Sequence, residues 1–170
     1  MPEPAPTERL RFRQMGPGDL DAMAALLGDS VVTRFYPAPM SREEASGWIS
    51  WNQDNYRQHG YGLWLLSRPD GEFVGDCGLT WQSVNGTNRL EVGYHVRADL
   101  HGLGLATEAA AATRDFARDV IQADELIAIT HPANRASQRV AEKVGMQRIE
   151  DDRGEDGTVH WVHGMRLHRR

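Results

Sequence analysis

Two hydrophobic periods run along this chain, and the places where one gives way to the other mark its elements. From Thr7 to Met15, Leu10 and Phe12 alternate with Arg9, Arg11 and Arg13, the period of a strand with one buried face. Leu20, Met23, Ala24 and Leu27 then recur at helical spacing after Pro17 and Asp19, and Gly28 closes a short amphipathic helix. Ser41 with Glu44 forms a capping box; Ala45, Trp48, Ile49 and Tyr56 follow on approximately one face until His59-Gly60, which predicts a longer second helix. The apolar run Tyr61 to Ser67, the turn residues Pro69-Asp70-Gly71 and the β-rich run Glu72 to Thr80 read as a hairpin. After a second turn at Asn85-Gly86, Leu90, Val92, Tyr94 and Val96 alternate with Glu91, Gly93, His95 and Arg97 in a fourth strand.

The period then lengthens. Ala106, Ala109, Ala110, Thr113, Phe116, Ala117 and Val120 mark one small-residue helix face suited to close packing on a sheet. A strand is expected over Glu125 to Thr130, then a helix N-capped by Asn134, carrying Val140, Ala141 and Val144 and ending at Gly145. Gln147 to Asp152 and Val159 to Leu167, separated by Gly154 and Gly157, complete the chain as a hairpin. The resulting order is strand, two helices, three strands, helix, strand, helix, two strands, which implies a mixed sheet in an α/β (α+β) domain.

With 170 residues, 40% of them hydrophobic, the chain suits a single domain over residues 1–170, and no repeat or low-complexity tract divides it. Residues 1–7, with three prolines and no apolar periodicity, read as a frayed arm without the features of a signal peptide. No apolar run approaches the ~18 residues needed to span a bilayer. Cys77 is the single cysteine, which excludes an internal disulfide and suits a reducing cytoplasm. The net charge of −5 argues against a general nucleic-acid binder and weakly favours a cationic partner such as an amine.

Candidate chemistry centres on Glu91 to Ala109, a strand followed by a glycine-bearing loop and a helix. Gly102 and Gly104 remove side chains where backbone must approach a ligand, and the amides of Leu103 to Thr107 are the unpaired donors of a helix start. Such donors, aided by the helix dipole, favour phosphate or pyrophosphate. A nucleotide P-loop is excluded by the lack of Gly-Lys-Ser/Thr, and a dinucleotide fingerprint by Thr107 and by the position late in the chain.

The segment His101, Gly102-Leu103, Gly104, Leu105, Ala106, continued by Thr107-Glu108-Ala109, resembles the acetyl-CoA-binding motif of GNAT N-acetyltransferases, with His101 where Gln or Arg is usual. A second segment, Asn134-Arg135-Ala136-Ser137 with Val140 and Lys143-Val144-Gly145-Met146, is similar to that family's RimJ/RimL-like branch. Glu8 to Arg13 and Gly75-Asp76-Cys77-Gly78-Leu79 match the branch's opening strand and middle hairpin. The resemblance implies a twisted mixed sheet of about seven strands, splayed between strands four and five and flanked by about four helices. Acetyl-CoA would lie in the cleft, its pyrophosphate on the amides of Leu103, Gly104, Leu105, Ala106 and Thr107. The backbone of Tyr94, His95 and Val96, together with Asn134, would meet its pantetheine arm. The implied reaction moves the acetyl group to a primary amine, either a protein N-terminal α-amine or a small molecule, by a chain acting as monomer or homodimer. A non-catalytic acyl-CoA-binding sensor or partner-binding protein is the alternative.

For proton transfer, Glu91 on strand four is the candidate base, and its position equally suits a solvated glutamate. Ser137 is the candidate donor to the leaving thiolate, in a position that equally suits a helix-start serine. The tail lacks the tyrosine many GNAT enzymes use as acid and offers His163 instead. His160 and His163 project to opposite faces of one strand, so no shared metal site is expected. Trp48 and Trp51 are candidates for the acceptor side, since the first two helices flank that cleft in relatives.

Overall fold

The computed structural model describes residues 1–168. Seven strands form one sheet in the order β1-β2-β3-β4-β5-β7-β6. They span Arg11–Arg13 (β1), Leu63–Ser67 (β2), Phe73–Val84 (β3), Thr87–Val96 (β4), Glu125–Thr130 (β5), Gln147–Arg153 (β6) and Val159–Arg166 (β7). Four α-helices accompany them: Leu20–Leu27 (α1), Arg42–His59 (α2), Leu105–Phe116 (α3) and Arg135–Lys143 (α4). The order of strands and helices is the one the hydrophobic periods predict.

Local chemistry accounts for the boundaries. Ser41 Oγ accepts from the Glu44 amide while the Glu44 carboxylate accepts from the Ser41 amide, closing both ends of the α2 cap, and Gly60 ends that helix in the left-handed region. Asn85 and Gly86, with φ of 48° and 83°, make the two-residue turn that sets Val84 opposite Thr87. That register runs back along the hairpin and places Asp76 directly across from His95. Along β3 the side chains alternate: Asp76 meets Trp48 of α2, and its neighbour Cys77 meets Thr113 of α3. Helices therefore cover both faces of the sheet. The principal core joins Leu10, Met23, Leu27, Trp64, Leu66, Val74, Leu79 and Leu105, with Trp64 edge-on to Phe116 at 5.2 Å between ring centres.

Three expectations need correction. The opening strand, expected from Thr7 to Met15, is confined to Arg11–Arg13. A turn in which the Thr7 amide donates to the Leu10 carbonyl diverts the chain, and Arg9 leaves the strand pattern to pair with Glu108. Residues 1–7 form neither helix nor strand, yet Pro4 is buried and the Thr7 hydroxyl donates to Glu108. The third helix does not run smoothly to Val120: after Phe116 the chain widens into a π-turn, Ala117–Ile121, ended by left-handed Gln122. The wider turn carries Val120 off the packed face, leaving it 51% exposed.

The parallel neighbours β4 and β5 share a single backbone pairing, Glu91 with Ile127. Beyond it both strands contribute to the walls of one cleft, Gly93 to Val96 from β4 and Ala128 to Thr130 from β5. No helix among the described residues is long and apolar enough to cross a membrane.

Candidate active site

The cleft at this splay encloses about 730 Å³, a size typical of small-molecule and cofactor sites. One part of it is built from backbone. Gly104 is the N-cap of α3, left-handed at φ 79°, and Gly102 is left-handed at φ 80°. The first helical hydrogen bond runs from the Glu108 amide to the Gly104 carbonyl at 3.0 Å, so the amides of Leu105, Ala106 and Thr107 precede it and have no partner within the helix. All three residues border the cleft. Leu103 does not: its side chain is half exposed and its carbonyl accepts from Arg9 Nη1. Arg9 also holds Glu108 through its Nε at 2.8 Å, so one arginine ties the loop to the first turn of α3.

Next to this turn, His101 Nε2–H donates to the Val96 carbonyl at 2.7 Å, which fastens the loop to the end of β4. Asn134 Oδ1 accepts from the Ser137 amide as the α4 cap. The Ser137 hydroxyl donates to the Tyr94 hydroxyl at 3.1 Å, and Tyr94 donates to the Ser137 carbonyl at 2.8 Å. Burial pushes the Tyr94 phenol well above its ordinary range, so it stays protonated. Tyr94, His95, Val96, His101, Asn134 and Ser137 all border the cleft. Thr130 lies there too, its buried hydroxyl without a protein partner. These residues fit acetyl-CoA: helix-start amides for the pyrophosphate, the edge of β4 that β5 leaves unpaired beyond Glu91 for the pantetheine amides, and the cations Arg139 and Lys143 in the same cleft.

The other part of the cleft is built from side chains. Glu91 stands at the splay, and its Oε2 accepts from the Ile129 amide at 3.0 Å across the gap to β5. Its Oε1 lies above Gly93, 3.9 Å from where a Cβ on that residue would stand. Burial pushes the Glu91 carboxyl up to about 7, against the opposing pull of the Ile129 amide and of His95. Glu91, Gly93 and His95 share one face of β4 by strand alternation. His95 Nδ1 is 2.8 Å from Asp76 Oδ1, and its Nε2 meets the Tyr36 hydroxyl. Asp76 is fully buried, and its other oxygen accepts from Trp48 Nε1 at 3.1 Å. Burial disfavours the His95 cation, but the Asp76 charge, its hydrogen bond and the Glu91 charge outweigh it, so the imidazole titrates above its ordinary value. Trp48 and Trp51 pack together at 5.2 Å and both border this end of the cleft, as do Phe35 and Tyr36.

A GNAT acetyltransferase domain matches residues 9–147. The chain belongs to the GNAT acetyltransferase family. It is 35% identical over 142 residues to the uncharacterized protein YkkB of Bacillus subtilis (strain 168), covering 82% of this chain and 83% of that protein. In fold it is similar to an acetyltransferase from Agrobacterium tumefaciens str. C58, with a TM-score of 0.82, 24% identity and coverage of 97% and 95% of the two chains. RimL, a ribosomal L7/L12 α-N-protein acetyltransferase in complex with CoA, superposes with a TM-score of 0.74 at 15% identity, covering 95% and 96% of the chains. GNAT enzymes move an acyl group from acetyl-CoA to an amine, and the mixed seven-stranded sheet with parallel β4 and β5 is the architecture of such acetyltransferases.

In this acetyltransferase His163 faces away from the cleft. It is 2% exposed, with Nε2 3.8 Å from Glu142 and Nδ1 unpartnered, and burial holds its pKa below the ordinary value. His160, on the other face of β7, borders the cleft and stacks edge-on with His131. Cys77 is buried against Thr113, and burial raises its thiol to about 12, far from a reactive thiolate. The reading of the sequence missed Tyr36, which lies in the irregular stretch between α1 and α2, and the partnership of Asp76 with His95. The second had a signal: the Asn85-Gly86 turn alone sets that cross-strand register.

Proposed function

We propose that this GNAT enzyme transfers acetyl from acetyl-CoA to a primary amine by direct attack in a ternary complex, in the manner of its RimJ/RimL-like branch. The amides of Leu105, Ala106 and Thr107, with that of Gly104 in the preceding turn, hold the pyrophosphate; Leu103, turned out of the cleft, takes no part. The edge of β4 that faces away from β3 at Tyr94 to Val96 and the Asn134 side chain align the pantetheine arm. A β4 amide facing the cleft receives the developing oxyanion, and fixed placement of the amine over Gly93 supplies much of the acceleration.

The observation that carries this reading is Glu91. One of its oxygens is anchored to Ile129, the other lies over Gly93, and the carboxyl titrates near neutrality. A base of that strength can take a proton from the amine as its nitrogen attacks and release it afterwards. Ser137, backed by the Tyr94 phenol, stands on the cofactor wall and returns a proton to the thiolate. The acceptor is a protein N-terminal α-amine or a small-molecule amine.

The test is thiol release from acetyl-CoA against a panel of amines and N-terminal peptides, alongside CoA binding by calorimetry. Release that depends on an amine supports transfer. CoA binding without release for any acceptor would favour an acyl-CoA sensor, and absence of binding would defeat both.

A further inference from the structure

An alkylammonium acceptor carries three protons on nitrogen, and the amide product keeps one. Two protons therefore leave nitrogen in each turnover; one equivalent ends on the CoA thiol and the other in solvent. An amine of pKa ~10.4 is neutral in roughly one molecule per thousand at pH 7.4, whereas an α-amine of pKa ~8 is neutral in about one in five. A site that takes strongly basic amines needs a proton acceptor for the ammonium as well as a base for the attack step.

Glu91 is one acceptor on this face of β4. Two residues beyond Gly93, the same face carries a second proton-accepting arrangement. The Tyr36 hydroxyl, 40% exposed as a residue, meets His95 Nε2; His95 Nδ1 meets Asp76 at 2.8 Å; and Asp76 is sealed beneath Trp48. Because a carboxylate can only accept, Nδ1 of His95 carries the proton, and in the neutral imidazole Nε2 accepts from Tyr36. The order Tyr36, His95, Asp76 places a hydroxyl at the cleft, an imidazole behind it and a buried carboxylate holding the ring in one tautomer.

We propose that Tyr36, His95 and Asp76 form a proton relay that neutralises an alkylammonium acceptor before attack, so that the enzyme's preferred substrates are strongly basic alkylamines. The inference rests on the acetyl-transfer reading above. In the relay the N–H bond of the ammonium breaks as an O–H bond forms on Tyr36, whose own proton passes to His95 Nε2. The result is a neutral amine over Gly93 and an imidazolium paired with Asp76. Glu91 takes the second proton as the C–N bond forms, and His95 returns its proton to solvent before the next cycle. Tyr36 is the member that touches substrate; His95 and Asp76 act through it. The groups facing His95 are Asp76 from β3, Tyr36 from the α1–α2 connection and Glu91 from its own strand; Trp48 from α2 is neutral.

The test compares kcat/KM for an alkylamine with that for its β,β,β-trifluorinated analogue, which is already neutral at pH 7.4, in the wild type, Tyr36→Phe, His95→Gln, Asp76→Asn and Glu91→Gln. Tyr36→Phe keeps the ring of a partly exposed side chain, so it remains informative if a variant at buried Asp76 folds poorly. The relay predicts an ~100-fold loss for the alkylamine in Tyr36→Phe and His95→Gln, with the fluorinated amine within about threefold of wild type. It also predicts that the alkylamine deficit shrinks as pH approaches the amine's own pKa. In Asp76→Asn the pH at which alkylamine activity rises moves down, since the charge that raises His95 is gone. Equal losses for both amines, or none, would overturn the relay. Glu91→Gln should slow both amines, so a failure of the acetyl-transfer reading shows itself as a wild type inert to either.

Discussion

The two parts of the cleft are made of different material. The cofactor end is mostly backbone: left-handed glycines, the amides of the first turn of α3 and the edge of β4 that faces away from β3, steadied by Arg9 and His101. The acceptor end is mostly side chain, drawn from the α1–α2 connection, α2, β3 and β4. A backbone cradle recognises a constant group and tolerates exchange at most positions, among them His101, whose side chain is engaged with the Val96 carbonyl. A side-chain seat is changed by a single substitution, which suits the part of the enzyme that selects its acceptor.

That contrast predicts graded effects. The largest belongs to Glu91→Gln, which keeps the bond to Ile129 while removing the base. Turnover should fall about 10²- to 10⁴-fold with CoA affinity unchanged, and for the fluorinated amine, which needs no relay, the rise of kcat/KM with pH near the value of about 7 set by burial of Glu91 should vanish. Equal loss of CoA binding would mean that Glu91 only holds the splay together. Gly104→Val acts on the other material: a β-branched residue at φ 79° costs roughly 1–2 kcal/mol. Calorimetry should show CoA binding weakened about tenfold or more as the α3 amides shift. Ser137→Ala should slow turnover about tenfold with little change in CoA affinity, because Tyr94 retains the Ser137 carbonyl.

The smallest effect on activity is expected at His163, buried away from the cleft. His163→Leu should leave kcat within about twofold of wild type and alter the pH dependence of stability instead. In the folded protein His163 titrates below its ordinary value, so the unfolded chain binds more protons at that position as pH falls below ~6.5. The wild type should lose stability between there and the lowered folded value, and the leucine variant should lose less, as read by thermal melts from pH 7.5 to 5. An unaltered pH dependence would contradict the assignment of His163 as a buried neutral group.

The backbone end of the cleft was legible in the sequence because its determinants are local: Gly102, Gly104 and the helical period that begins at Ala106 lie within a few residues of one another, although the helix starts at Leu105 and leaves Leu103 outside it. The α4 cap at Asn134 and the hairpin turn at Asn85-Gly86 were legible for the same reason. The acceptor end was not. Tyr36 sits in a stretch with no periodicity, and only tertiary packing brings it to His95. The shortening of the first strand and the π-turn after Phe116 were hidden too, since one follows from Arg9 reaching Glu108 and the other from a single extra residue in the helical turn. Glu91 was visible as a strand residue, but its bridge to Ile129, and with it the cause of its raised pKa, depends on the splay.

The most direct test of the central claim is a calorimetric titration of the wild type and Gly104→Val with acetyl-CoA. Binding of one acetyl-CoA per chain, weakened at least tenfold in Gly104→Val, is the predicted result. Absence of binding to the wild type, or equal binding by both proteins, would contradict the assignment of the α3 amides as the cofactor cradle.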